Sequence, residues 1–139
     1  MKAFKCTVDL AIHKVTAPGV RLGNKDDLYL NVCLLGQQRR TRLVPSQFPL
    51  IFDNHLVFEK TFRFCRDPSD VVALLNGLHT YVELVQLSRA PNTEVLANFE
   101  TTAKEFLYPY PSSKYAFHVT QRDLFMERTI EFPVSVISS

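Results

Sequence analysis

From Phe4 to Ile12 every second residue is apolar (Phe4, Cys6, Val8, Leu10, Ile12), with Lys5, Thr7, Asp9 and Ala11 between them. A period of two is that of a strand with one face in a core and one in water. Thr16 to Gly19 interrupts the pattern. Leu28, Leu30, Val32 and Leu34 then form the apolar face of a second strand, and Gly36 permits a turn. Arg39 to Val44 reads as a third strand, ended by Pro45. Leu56 to Phe64 reads as a fourth, with Leu56, Phe58, Phe62 and Phe64 inward. The same alternation turns Lys60 inward, which places that strand near a sheet edge.

The period changes once. Asp67-Pro68-Ser69-Asp70 supplies an N-cap acceptor, a proline for the first helical position and an acid where the helix dipole favours one. Val71, Leu74, Leu75 and Leu78 follow at helical spacing, and Asn76-Gly77 closes the turn. Tyr81 to Leu87 returns to strand, Asn92 to Phe99 reads as another, and Thr101 to Leu107 as a helical turn before the proline-rich segment. Leu124 to Phe132 alternates a last time. Strands broken by turn signals, with one short helix near residues 68–77, predict an all-β fold: an antiparallel β-sandwich of about eight strands. A parallel sheet needs a crossover helix between most strands, and the spacing leaves no room for them.

Length and composition narrow the class. The 139 residues fit a single domain, 1–139, and 46% apolar with 22% charged residues is ordinary globular usage. A net charge of +2 gives no reason to expect nucleic acid. Cys6, Cys33 and Cys65 form no C-x-x-C pair, so reduced thiols are expected. The N-terminus MKAFKCTVDL lacks the apolar core of a signal peptide, and no window approaches the roughly 18 apolar residues of a membrane span. The expectation is a soluble, cytoplasmic protein.

The residues that would carry catalysis are missing from the sequence. There is no G-x-S-x-G elbow and no glycine-rich phosphate loop, and His13, His55, His79 and His118 show no metal-binding spacing. The reading is therefore no enzyme, no cofactor and no metal.

The order of the strands resembles the C2 sandwich. An acid stands before an aromatic-containing strand at Asp27-Leu-Tyr29, a basic strand follows, and Pro49-Leu-Ile-Phe52 leads into Phe58-Glu-Lys-Thr-Phe62-Arg-Phe64. Calcium-binding members of that fold carry further aspartates in the loop after the strand matching Tyr81 to Leu87. Here that loop reads SRAPNTE, with one glutamate and an arginine. Calcium takes six to eight oxygens, so Asp26 and Asp27 are too few and no calcium binding is expected. Their expected role is structural, one of them accepting hydrogen bonds from loop amides.

A narrower resemblance covers nearly the whole chain. Val15-Thr-Ala-Pro-Gly-Val20, Asp27-Leu-Tyr-Leu30 with Gly36-Gln37, Phe48-Pro-Leu50, Phe58-Glu-Lys60, Asp67-Pro-Ser-Asp-Val71 with Leu74-Leu75, Tyr81 to Leu87, Val95-Leu-Ala97 and Phe106-Leu-Tyr-Pro109 occur in this order. In order and spacing they resemble the N-terminal domain of the spermatogenesis-associated protein 6 family. The resemblance implies a scaffold protein of the sperm neck, or connecting piece, which joins head and flagellum. It further implies centriolar, basal-body and actomyosin cytoskeletal partners, and a longer protein of which this domain is the N-terminal piece.

Two readings of the surface remain open at this level. In the first, a calcium-independent sandwich docks a protein partner through Arg39, Arg40, Arg42, Tyr108 and Tyr110. In the second, the chain is a calcium-independent peripheral membrane module whose arginines, with Lys25 and Lys60, bind acidic phospholipid headgroups. A third possibility is that the arginines only guard a sheet edge. Alternation puts Arg40 and Arg42 on one face and Arg39 on the other. The tyrosines around Pro109 and Pro111 either bind a partner or cover an open end of the sandwich.

Overall fold

A computed structural model of the chain describes residues 2–88, 92–107 and 124–129. Among these, seven strands and two helices follow one another: β1 (Lys2–Val15), β2 (Leu28–Leu34), β3 (Gln37–Arg40), β4 (Leu50–Cys65), α1 (Pro68–Leu75), β5 (His79–Leu87), β6 (Thr93–Thr102), α2 (Ala103–Leu107) and β7 (Glu127–Arg128). They form two antiparallel sheets, β1-β4 and β3-β2-β5-β6-β7. The inner faces meet in one core, to which Leu28, Leu30, Val32 and Leu34 of β2, Phe52, Phe58 and Phe62 of β4, and Val82 and Leu84 of β5 contribute. This is the expected antiparallel sandwich. The final alternating run is described only at its start, since Ile130 and Phe132 lie outside the described residues.

β2 shows the link from pattern to packing plainly. Its even-numbered residues are buried and its odd-numbered ones only partly so. It turns into β3 through Leu35 and Gly36, with φ of 56° and 74°. Two successive left-handed residues give a tight turn whose twist matches that of the flanking strands. Leu35 accepts a conformation that is costly for a side chain, and its burial in the core offsets that cost.

β3 is shorter than the expected strand Arg39 to Val44. At Thr41 the backbone N–H still donates to the Leu30 carbonyl (2.9 Å), but the Leu30 N–H donates to the Thr41 hydroxyl (3.0 Å). The ladder then skips a residue and resumes where Val44 pairs with Leu28. Three residues there match two on β2, which is a bulge, and the side chains after it change face.

β4 begins earlier than expected, at Leu50, and carries a left-handed residue near each end: Asp53 at φ 44° and Phe64 at φ 63°. At each place three residues of β4 span two of β1, from Ile51 to Asn54 against Lys14 and Ile12, and from Phe62 to Cys65 against Phe4 and Lys2. The second slip corrects the sequence reading. Arg63 and Phe64 both face outward, Cys65 takes the core position, and Phe64 is 79% exposed rather than inward. Lys60, the expected misfit on the inner face, is partly buried with its ammonium over the Phe62 ring.

α1 follows at once, as its start signal requires. The Asp67 carboxylate accepts from the Ser69 N–H, and Asp70 accepts from the backbone of Arg66 and Asp67, completing a capping box. The Ser69 hydroxyl and then its N–H hold the Asp67 carboxyl below its ordinary pKa. A depressed folded-state value adds stability above the ordinary carboxylate range, lost as pH falls through the lowered value. Asp67→Ala should therefore lower the melting temperature at neutral pH. The difference from wild type should vanish on acidification, as thermal melts across pH would show.

Phe62 and Phe64 provide a paired test of β4. Phe62 is buried, and Phe62→Ala should cost about 3–5 kcal/mol by lost burial and a residual cavity. Phe64→Gly should leave the melting temperature unchanged or raise it, because glycine adopts a positive φ without steric penalty. Equal losses in the two variants would mean that the strand is placed wrongly.

Candidate interaction surface

At one end of the sandwich the segment before β2 meets the end of β5. Buried Gln86 donates from Nε2 to the carbonyls of Asn24 (2.9 Å) and Asp26 (3.0 Å). Asn24 donates from Nδ2 to the Leu87 carbonyl (3.0 Å) and accepts the Asp26 N–H on Oδ1 (2.9 Å), while the Leu87 N–H donates to the Asp27 carbonyl (3.0 Å). The loop is thus held by two side-chain amides and its own backbone. The expectation that the Asp26 or Asp27 carboxylate would accept loop amides is not met. Both side chains are exposed, and neither carboxylate receives a hydrogen bond among the described residues.

The three arginines separate. Arg39 is exposed and donates from Nη1 to the Gln38 carbonyl (2.8 Å). Arg40 stands opposite Asn31 and lies over the Tyr29 ring, 5.5 Å from its centroid. Arg42, within the bulge, bonds to the other sheet: its backbone N–H donates to Asn54 Oδ1 (2.8 Å) and its Nε to the Phe52 carbonyl (3.0 Å). Arg40 and Arg42 are both exposed on either side of buried Thr41, as alternation expects, but their side chains make separate contacts, Arg40 with the Tyr29 ring and Arg42 with the Phe52 carbonyl. Tyr108 and Tyr110 lie outside the described residues.

Beside Arg42 runs a shallow groove of about 300 Å³ lined by Val44, Pro45, Gln47, Phe48, Pro49 and Ile51, with the Phe48–Pro49 peptide cis. Leu43 and Ile51 expose about half of their surface nearby. Sequence periodicity missed this region, and it missed exposed Phe64, which follows from a bulge that hydropathy does not record. Among the described residues no three His, Cys, Asp or Glu side chains gather into a metal-binding group. No described helix is long and apolar enough to cross a membrane.

The fold defines the class first. The structure resembles a C2 domain of RIM from Drosophila with a TM-score of 0.52 at 18% identity, covering 70% of this chain and 75% of that one. The sandwich is C2-like. The sequence places it more narrowly: the profile of the family described as "Spermatogenesis-assoc protein 6" matches residues 8–137. A rat spermatogenesis associated 6-like protein is 39% identical and a human one 32%, each over 130 residues and 94% of this chain. The chain belongs to the spermatogenesis-associated protein 6 family. It spans about a third of the length of these curated relatives, 32% of the rat protein and 29% of the human one.

The loop geometry yields a direct test. Gln86→Leu removes the buried donor from two carbonyls and should cost about 1–3 kcal/mol, with faster amide exchange at Leu87. Asp26→Asn and Asp27→Asn should leave both measurements nearly unchanged. A loss of protection in the aspartate variants alone would return the anchoring role to the carboxylates.

Proposed function

We propose that this chain is a non-catalytic, calcium-independent protein-interaction domain of a scaffold at the sperm neck. There it contributes to the connecting piece, the link between head and flagellum built during spermatid differentiation. Family membership across residues 8–137 is the observation that carries the reading. Its partners are proteins of the centriole or basal body and of the actomyosin cytoskeleton. Two structural facts support protein docking over lipid binding. The calcium-type end of the sandwich is organised by the amides of Asn24 and Gln86 and not by converging carboxylates. The basic run is divided, with Arg42 bonded to Phe52 and Arg40 placed over Tyr29. Attraction to an anionic membrane sums roughly 1 kcal/mol over each basic residue near the surface, so dispersed cations forfeit much of it.

The test is localisation in differentiating spermatids, with the full-length protein tagged and a variant lacking this domain beside it. The wild-type protein should concentrate at the flagellar base and the variant should not. Accumulation at membranes, abolished by reversing the charge of Arg39 and Arg40, would favour the lipid reading instead. Calcium titration of the isolated chain should give no saturable heat in the sub-millimolar range.

A further inference from the structure

Among the described residues, Phe64 stands out as a large apolar side chain turned outward by a left-handed backbone. Its φ is 63°, it is 79% exposed, and the bulge that turns it out leaves the core position to Cys65. The bulge serves the fold by bringing Cys65 into the core beside Phe62, but the Phe64 ring itself takes no part in that core. A non-glycine residue held at positive φ and facing solvent points to a contact made with another molecule.

The surrounding charges specify that molecule's chemistry. Arg63 and Arg66 flank Phe64 and are both exposed, and neither guanidinium has a hydrogen bond or ion pair among the described residues. The acids next to them are already committed. Asp67 accepts from Ser69, and Asp70 from the backbone N–H groups of Arg66 and Asp67. Two unengaged guanidinium forks around an exposed aromatic ring have the composition of an interface hot spot. This contrasts with Arg40 and Arg42, which spend their side chains within the fold.

We infer that Arg63, Phe64 and Arg66 form a docking point for an acidic segment of a protein partner, the ring entering an apolar socket and the guanidinium groups gripping carboxylates. The inference rests on the interaction-domain reading above and names its surface. A protein suits the site better than an anionic membrane. From Glu59 to Asp70 the chain carries three bases and three acids, so no net field draws a charged surface, whereas bidentate guanidinium–carboxylate bonds act at contact range.

The experiment uses the intact chain and labelled synthetic peptides in which one Phe, Leu or Met is flanked by Asp and Glu, with basic peptides as controls, read by fluorescence anisotropy. Acidic peptides should bind, and Phe64→Ala or the double Arg63→Lys, Arg66→Lys exchange should each weaken them by at least about tenfold with no loss of melting temperature. Arg40→Ala should bind as wild type. Binding lost in Arg40→Ala but kept in Phe64→Ala would overturn this surface while leaving an interaction domain in place. Binding of no peptide, together with Phe64-dependent binding to phosphatidylcholine–phosphatidylserine vesicles, would overturn both in favour of a membrane contact. Equal affinity of all variants for acidic and basic peptides would also overturn the assignment.

Discussion

A strand of sixteen residues must keep one face on the core while the sheet it belongs to twists, and the pleat alone cannot do this over such a length. β4 meets the constraint with a left-handed residue near each end, Asp53 and Phe64, where three of its residues span two of β1. Between these points Leu56, Phe58 and Phe62 stay in register with the inner face, and beyond them Leu50, Phe52 and Cys65 remain buried. The other sheet packs against this row. Where a phase slip falls, the outward side chains come in adjacent pairs, His13 with Lys14 on β1 and Arg63 with Phe64 on β4. Surface chemistry is therefore set by the same geometry that keeps the core closed.

That dependence explains what the sequence showed. β1 and β2 were legible because their apolar residues alternate without a break, and α1 because Asp67, Pro68 and Asp70 are chemically specific to a helix start. The C2-like sandwich and the family were legible from the order of eight short segments. The ends of β3 and β4 were not. A bulge changes which side a residue faces through one backbone angle, and Phe64 carries no mark of it in its hydropathy. The anchoring of the loop before β2 was hidden for a different reason. Asn24 and Gln86 stand 62 residues apart, and only the pairing of β2 with β5 brings them together.

The candidate surface redistributes roles within one composition. Arginines that look like a patch in the sequence make contacts within the fold, Arg40 with Tyr29 and Arg42 with the Phe52 carbonyl, and arginines that look incidental beside Phe64 are left without internal partners among the described residues. A guanidinium hydrogen-bonded to a backbone carbonyl is less available to a partner than one facing water. Counting basic residues along the chain thus says less about binding than asking which of them the fold has already employed.

One feature of β4 bears on how the protein behaves at high concentration. The Phe52 carbonyl is taken by the Arg42 side chain, and the Glu59 N–H by Gln37 Oε1. Both groups belong to a strand backbone, and such groups left open are templates on which another chain can stack. To add a strand there, an intruding polypeptide would first have to displace a charged donor and an amide acceptor that are tethered in place. The domain thus carries its own stoppers against strand addition at these two positions.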